Sequence, residues 1–363
     1  MRLIGEFTEE LDAQVFGGFL NRRGIKCKQD GLELWVLDEE LHADALDHFQ
    51  HYQLHPKDAR YEIVRSGLMA VPEEKVKPQI AAPLKKPTPI TTFIILFCTA
   101  LFFWQLMQRM DMSPVSLQVK EVVALTPIEG SLVYDYPPAF EYATEFFETT
   151  AIKKPEELKT LSPEEESLWN KALNTPYWEG LYDIVLKWPN ANDQLSLPMF
   201  VKIRAGEIYR TITPIFMHGG FLHILFNMLW LYLLGRMVEE RIGALRYIAI
   251  SLIVALVSNT IQYLMSGPAF LGYSGVITGL AGFIWMRQRK APWEGYPLQK
   301  ATAIFLGVFI FGMMGFQIVL FVLQRFFEIN WNLQIANSAH VVGALVGIIL
   351  ARYSFFYKQQ GVK

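Results

Sequence analysis

The sequence contains few cysteines, few charged residues and no excess of basic residues. Two of its 363 residues are cysteines, Cys27 and Cys98, and two thiols cannot make a disulfide framework. Cys98 also lies inside an apolar run, which argues against pairing of the two. Charged residues make up 19% of the chain, the net charge is −2, and no basic stripe is present. This charge balance argues against binding of nucleic acid.

Hydrophobic residues, in contrast, are abundant. They make up 52% of the chain, with 26 Phe, 15 Tyr and 9 Trp, and the mean hydropathy is +0.22. Residues 1–86 and 111–210 carry an ordinary density of charge, so the apolar excess is concentrated elsewhere. The first residues contain no apolar run of the kind found in signal peptides. This composition excludes a disordered chain and predicts a membrane protein with several spans and soluble attachments.

Six segments are predicted to be membrane-spanning helices, because a hydrocarbon core of ~30 Å requires ~20 mostly apolar residues. They are residues 90–108, 213–235, 247–265, 271–287, 301–324 and 334–353. With a cytoplasmic N-terminus, the inner segments after the first span hold ten Lys and Arg residues, and the short outer loops hold one, Arg325. Because positive residues favour the cytoplasmic side, this asymmetry predicts that both termini are cytoplasmic.

Residues 1–74 are predicted to form a small α+β domain. The pattern indicates a strand, a helix, a hairpin around Asp30 and Gly31, and a second helix. The second helix is rich in histidine but lacks the cysteine or carboxylate geometry of a metal site. We therefore interpret its histidines as surface residues: His42, His48, His51 and His55.

The remaining soluble segments differ in character. Residues 75–89 are predicted to be a linker, and residues 354–363 a cytoplasmic tail. Residues 111–208 are predicted to be a long extracytoplasmic insertion, and from Asp111 to Ala205 its 15 acidic residues outnumber 8 basic ones. A helix is expected to begin in it at Ser162, with an N-cap, a proline and a capping-box glutamate. Its aromatic residues suit a helix at the level of the lipid headgroups: Trp169, Tyr177, Trp178, Tyr182 and Trp188.

Polar residues inside the predicted spans are costly and therefore informative. The second, fourth and sixth spans run in the same direction, and each carries polar residues near its outer end. A single histidine would be interpreted as a packing residue, but three helices that enter from one face can bring such groups to one depth. The pattern predicts a shared site formed by His218, His223, Asn227, Ser274 and His340.

Ser274 and His340 are the candidate nucleophile and base. Ser274 follows Gly272 at the predicted start of a helix, where backbone N–H groups favour a developing oxyanion. The segment does not match the Gly-x-Ser-x-Gly motif of soluble hydrolases, because its second glycine is missing. His340 is followed by Gly343 and Gly347, small residues that let two helices approach closely. Such an approach would bring the imidazole within reach of the hydroxyl, without a carboxylate to orient it.

His223 and Asn227 are the candidate oxyanion donors, because residues four apart lie on one face of a helix. His218 is five residues from His223, which makes the two a poor pair of metal ligands. The sequence also lacks the His-Glu-x-x-His motif of zinc proteases. We therefore expect no metal and no organic cofactor, and the spacing favours serine chemistry.

Three segments resemble the motifs of rhomboid intramembrane serine proteases. The resemblance extends over all six predicted spans, and residues 1–74 are similar to the cytoplasmic domain of the bacterial GlpG type. The segments run from His218 through His223 to Asn227, from Gly272 to Gly275, and from Ala339 through His340 to Gly347.

The resemblance implies an all-α six-helix transmembrane bundle, with a small α+β N-terminal cytoplasmic domain, in the bacterial inner membrane. It implies a Ser274–His340 dyad, with oxyanion donors from His223, Asn227 and the backbone of Ser274. Substrates would be single-span or multi-span membrane proteins in the lipid bilayer, cleaved near their extracytoplasmic side. Supporting roles are implied for Gly272, Gly275, His218 and Thr278, and roles in loop or helix packing for Arg210, Glu239 and Arg241.

The sequence departs from the family in three places. Thr278 stands where the family often has an aromatic residue stacked on the catalytic histidine, Tyr209 replaces a loop tryptophan, and the insertion is longer. One alternative is a catalytically silent rhomboid-like protein that binds membrane proteins, but retention of Ser274 and His340 argues against it. A transporter is a more distant alternative, which the absence of carboxylates in the spans and of a visible repeat disfavours.

Overall fold

The computed structural model describes residues 2–69, 87–112, 123–150, 152, 154–188, 195–291, 294–327 and 336–356. The chain divides into two compact units, Met1–Ile80 and Ala81–Lys363, which are described separately. Most of the predicted linker, 75–89, lies outside the described residues, and so do residues 357–363 of the predicted tail.

The first unit contains a three-stranded antiparallel sheet in the order β1-β3-β2. The strands are β1 (Arg2–Glu6), β2 (Cys27–Asp30) and β3 (Glu33–Val36). Gly31 has a φ of 62° in the hairpin turn, which is the left-handed conformation that glycine adopts without strain. The predicted hairpin around Asp30 and Gly31 is therefore confirmed.

Three helices accompany this sheet: α1 (Glu10–Arg22), α2 (His42–Leu54) and α3 (Ala59–Met69). Phe16 and Tyr61 are fully buried between them. The sequence analysis did not predict α3, because its polar and apolar residues give little periodic signal.

The histidines of α2 contact the rest of this unit. His42 Nε2 lies 2.9 Å from the Leu3 carbonyl oxygen, and His51 Nδ1 lies 3.1 Å from the Tyr61 hydroxyl oxygen. His48 packs edge-on against a phenylalanine ring of α1. Across the described residues, no group of three or more His, Cys, Asp or Glu is placed to hold a metal ion.

In the described residues of the second unit, all regular secondary structure is helical. It begins with α4 (Pro89–Asp111) and continues through the short helices α5 (Pro127–Leu132), α6 (Pro138–Thr149), α7 (Pro163–Asn174), α8 (Leu181–Lys187) and α9 (Val201–Arg204). The remaining helices are α10 (Phe221–Ile242), α11 (Ala244–Ser266), α12 (Ser274–Lys290), α13 (Lys300–Phe327) and α14 (Asn337–Leu350).

Four of the described helices, α4, α10, α11 and α13, are long and apolar enough to cross a membrane. α12 and α14 have only 17 and 14 residues. Their faces are rich in glycine, and both lie largely buried among the other helices. Burial against neighbours allows these shorter helices to pack deep within the bundle.

The predicted second span, 213–235, is displaced along the chain. Thr213–Phe216 forms a short 3-10 turn, and the regular helix α10 begins only at Phe221, after two glycines. His218 therefore precedes the helix, and its predicted position within the span was wrong. The helix continues through a π turn at Leu231–Gly235 to Ile242, because its charged last turns find hydrogen-bond partners in neighbouring segments.

Two other predicted spans also differ at their ends. The helix predicted at 271–287 begins at Ser274, because Gly272 has a φ of 118° and cannot belong to a helix. It then continues to Lys290. In the predicted span 334–353, α14 occupies Asn337–Leu350 and is followed by a turn, and residues 334–335 lie outside the described part of the chain.

The insertion folds into short helices with defined ends. Ser162 caps α7, its hydroxyl accepting from the Glu165 backbone N–H while the Glu165 carboxylate accepts from the Ser162 backbone N–H, so the predicted capping box is confirmed. Trp169 of α7 packs on Phe146, with ring centroids 4.9 Å apart. Trp169 is partly buried and Trp178 is buried, so both pack against protein cores, which differs from the headgroup-level surface that we expected.

A buried carboxylate joins the insertion to α11. Asp135 accepts hydrogen bonds from the backbone N–H groups of Val201 and Lys202 and from the Tyr263 hydroxyl. Trp178 Nε1 donates to the carbonyl oxygen of Tyr263 at 3.0 Å. These contacts fix the insertion on the end of α11 that precedes the serine helix α12.

Charged residues join the helices at the opposite end of the bundle. Glu239 accepts hydrogen bonds from the backbone N–H groups of Ile90 and Thr91 and so caps the start of α4. Arg241 Nε donates to the Glu294 carbonyl oxygen, and a bidentate ion pair joins Arg287 to the Glu294 carboxylate. Basic residues therefore gather at this end of the bundle with their polar partners.

Candidate active site

The serine lies at the junction of a tight loop and a helix. Gly272, with its positive φ, donates its N–H to the Pro214 carbonyl oxygen at 3.0 Å. A Cβ atom on Gly272 would lie 2.7 Å from ring atoms of His223, so only glycine fits between that ring and the turn. Ser274 is the first residue of α12, where its backbone N–H has no partner within the helix.

The helices α12 and α14 approach until their backbones touch. A Cβ atom on Gly343 would overlap the carbonyl oxygen of Gly275, and one on Gly347 would overlap the carbonyl oxygen of Gly279. The close approach that the glycine spacing predicted is therefore present. It brings the first turns of the two helices together.

This contact places the candidate base beside the candidate nucleophile. His340 Nε2 lies 2.7 Å from Ser274 Oγ, a hydrogen-bond distance between residues 66 positions apart. His340 is 7% exposed, and its Nδ1 has no hydrogen-bond partner among the described residues. The imidazole is thus held by packing and by the serine, since no described carboxylate orients it.

A glutamine that the sequence analysis did not assign to the site supports the histidine helix. Gln262 of α11 is buried, and its Oε1 accepts the backbone N–H of Ala339 at 3.0 Å. Its Nε2 donates to Ser266 Oγ at 2.9 Å. The available signal was a glutamine in an apolar span, but no sequence pattern connects it with a residue 77 positions away.

Asn227 and His223 lie one turn apart on α10, as predicted. Asn227 Nδ2 donates to the carbonyl oxygen of His223 at 2.8 Å, and Asn227 Oδ1 is buried without a partner among the described residues. The amide is therefore engaged with its own helix in this state. The second hydrogen of Nδ2 is not used by this bond and could donate to an oxyanion.

His218 lies beside His223 although it precedes α10. The two ring centroids are 5.2 Å apart at an angle of 65°, and both ring nitrogens of His218 are buried without a partner among the described residues. The His218 backbone N–H donates to Gln105 Oε1 of α4 at 3.4 Å. This arrangement forms one polar wall next to the serine loop.

Thr278 is buried at the contact between α12 and α14. Its hydroxyl donates to the Gly275 carbonyl oxygen at 2.8 Å, one turn back along the helix. Its Oγ1 would lie 2.7 Å from a Cβ atom on Gly343. A threonine therefore fills this site with a local hydrogen bond in place of a stacked ring.

Arg210 holds the loop that leads to the site. It is 4% exposed and donates to the carbonyl oxygens of Gly130 and Val133, while its Nε pairs with Glu207 at 2.7 Å. Hydrogen bonds from Arg210 and Tyr209 hold the pKa of the Glu207 carboxyl below its ordinary value. The neighbouring Tyr209 occupies the position of the expected loop tryptophan and is half exposed.

Residues 205–356 match the family model of the Rhomboid domain. Over this range the chain is similar to a rhomboid domain. The matched range includes α10 to α14, and with them Ser274, His340, His223, Asn227 and Gln262. The first unit, α4 and most of the insertion lie outside the matched range.

Named relatives match a stretch of 146 residues. Rhomboid protease GlpG of Salmonella paratyphi A is 39% identical over 146 residues, which is 40% of this chain and 48% of the relative. The proteins of the same name from Salmonella newport and Salmonella typhi have the same identity and coverage. The chain thus spans about half the length of the curated relatives it matches.

Proposed function

We propose that this protein is an intramembrane serine endopeptidase that cleaves membrane proteins with a Ser274–His340 dyad. The observation that carries the proposal is the distance of 2.7 Å between His340 Nε2 and Ser274 Oγ. It joins two helices of a rhomboid domain whose named relatives are proteases. A hydroxyl in hydrogen-bond contact with a buried imidazole is the arrangement that serine acyl transfer requires.

In this mechanism Ser274 Oγ attacks the carbonyl carbon of a peptide bond, and His340 Nε2 takes the hydroxyl proton. His340 then gives the proton to the leaving amine, and an acyl-enzyme remains on the serine. Water attacks this ester, again with His340 as the base, and releases the second product. The reaction consumes one water, and no metal or organic cofactor enters the proposed steps.

The developing oxyanion needs hydrogen-bond donors that are already in place. The backbone N–H of Ser274 is free of helix partners because it begins α12. Asn227 and His223 lie on the wall beside it, and the Asn227 amide has a second N–H besides the one bound to the His223 carbonyl oxygen. Gly272 lets the His223 ring approach the serine loop.

We further propose that the bundle crosses the inner membrane six times with both termini in the cytoplasm. The four long apolar helices supply four of these crossings, and α12 and α14 are proposed for the other two. The basic end of the bundle, with Arg241 and Arg287, would face the cytoplasm. The site and the insertion would then lie towards the extracytoplasmic side, where substrates are cut near their outer ends.

The direct test is cleavage of a single-span reporter protein by the purified protein in lipid vesicles. Ser274→Ala and His340→Ala should each abolish cleavage without loss of folding, and the double variant should be no worse than either. Covalent labelling of Ser274 by a fluorophosphonate should follow the same pattern. A folded, unlabelled wild-type protein that still binds membrane proteins would instead support the catalytically silent alternative.

A further inference from the structure

The insertion contacts the helix that carries His340. The Tyr182 hydroxyl oxygen, on α8, lies 3.1 Å from Ser338 Oγ. Ser338 belongs to the first turn of α14, two residues before His340, and is 5% exposed. A residue of the insertion thus contacts the same helical turn that carries the base of the proposed dyad.

The short helix α8 is itself held by its neighbours. The Tyr182 ring packs against Phe321 of α13 with centroids 6.3 Å apart, and Arg325 donates to the Trp188 carbonyl oxygen at 3.2 Å. Before α8, the backbone of Gly180 packs directly against the end of α11. The Tyr182 hydroxyl therefore projects from a fixed support.

The first turn of α14 is also held from a second direction. Gln262 binds the N–H of Ala339, so two consecutive residues before His340 each have a partner on a different element. The N-cap residue Ala336 provides no side-chain cap of its own. Gln262 thus satisfies one free N–H group at the start of α14, and Tyr182 adds a side-chain contact to the same turn.

We propose that Tyr182 is a positioning residue for the Ser274–His340 pair, acting through Ser338 on the first turn of α14. The proposal rests on the proposed function, because it concerns the same dyad. Reactive groups must be held within ~0.5 Å of a productive geometry, and His340 has no described carboxylate to hold it. The insertion thereby becomes part of the catalytic support and not a passive loop.

The test removes single hydroxyls. Tyr182→Phe and Ser338→Ala should each lower kcat about threefold to tenfold with KM unchanged, the size expected for one lost hydrogen bond. The double variant should be no slower than either single variant, because both changes remove the same contact. A rise in KM with kcat unchanged would overturn the proposal, since it would place Tyr182 in substrate binding.

Tyr134→Phe is the matched control. The Tyr134 hydroxyl oxygen lies 2.8 Å from Thr260 Oγ1, so the substitution also removes one hydroxyl contact between the insertion and a long helix. Thr260 is on α11 and is not part of the histidine helix. We expect kcat to be unchanged in this variant. Equal losses of kcat in Tyr134→Phe and Tyr182→Phe would mean that any loosening of the insertion slows turnover. That result would overturn the specific positioning role of Tyr182.

A measurement without turnover separates this inference from the proposed function. Amide hydrogen exchange in peptides that cover residues 336–345 should be faster in Tyr182→Phe than in wild type or Tyr134→Phe. Unchanged exchange would overturn the positioning role even if cleavage fails in every variant. Absence of cleavage and of Ser274 labelling in wild type would overturn the proposed function alone, while faster exchange would still support the contact.

Discussion

The side-chain amide of Asn227 is only partly hydrogen-bonded. Its Nδ2 is bound to the His223 carbonyl oxygen, while its Oδ1 is buried and unpaired among the described residues. A buried acceptor without a partner costs free energy, so the amide has a reason to change partners when a substrate enters. Because Nδ2 also has a second hydrogen, the proposed role of Asn227 as an oxyanion donor does not require its bond to His223 to break.

Replacement of Asn227 should separate turnover from folding. Asn227→Ala should lower kcat by up to ~10²–10³, because removal of one oxyanion donor has that effect in serine proteases. The thermal midpoint should change little, since the lost hydrogen bond lies within one helix. Reporter cleavage and thermal unfolding of the same preparation check both expectations. Full activity in this variant would leave stabilisation of the oxyanion to the backbone and His223.

At the residue scale the sequence predicted which side chains meet, but not how they bond. Ser274 and His340 could be singled out because each is polar in an apolar helix and each is followed by small residues. The hydrogen bonds of the Asn227 amide and the role of Gln262 could not be predicted, because both depend on which atoms fall within about 3 Å of each other after the helices pack. The Thr278 hydroxyl donates to the Gly275 carbonyl oxygen of its own helix and not to His340.

The contact between α12 and α14 brings Ser274 and His340 together. Gly347→Ala should force the two helices apart, because its Cβ atom would overlap the carbonyl oxygen of Gly279. We expect a loss of about 1–3 kcal/mol in the free energy of unfolding, as for an overpacked core, and a large fall in activity. Chemical denaturation together with the cleavage assay measures the two effects.

Gly312→Ala provides the control for that substitution. Gly312 lies on α13, and a Cβ atom there would meet nothing within 4 Å. Alanine is a better helix former than glycine by about 1 kcal/mol, so this variant should be as stable as wild type or more stable. Equal destabilisation by both substitutions would contradict the close-packing argument.

Helix ends were predicted well where a local signal exists. Ser162 and the proline after it define the start of α7, as predicted. The start of α12 was placed three residues too early, before the turn at Gly272. The start of α10 was placed too early, because Pro214 and the residues around it are apolar but form a 3-10 turn. Its end was predicted at residue 235, before the charged residues that follow, whereas the helix continues to Ile242.

The whole molecule separates into two units, and every proposed site residue lies in the second. A fragment of residues 81–363 should therefore cleave the reporter with kcat within about twofold of the full chain, since a compact unit folds by itself. A fragment that begins at residue 123 should lose activity, because it removes α4 and leaves Glu239 without the N–H groups of Ile90 and Thr91. Inactivity of the longer fragment would mean that the first unit is required for turnover.

The paired glycines where the insertion meets α11 restrict how chimeric proteins can be built. Gly180 and Gly267 both have positive φ, and a Cβ atom on Gly180 would lie 2.5 Å from the Met265 carbonyl oxygen. A Cβ atom on Gly267 would lie 2.9 Å from the carbonyl oxygen of Trp178. A side chain at either position would meet the backbone of the opposite segment. A transplanted insertion therefore requires glycine at both positions, and the grafted segment should extend through the end of α11.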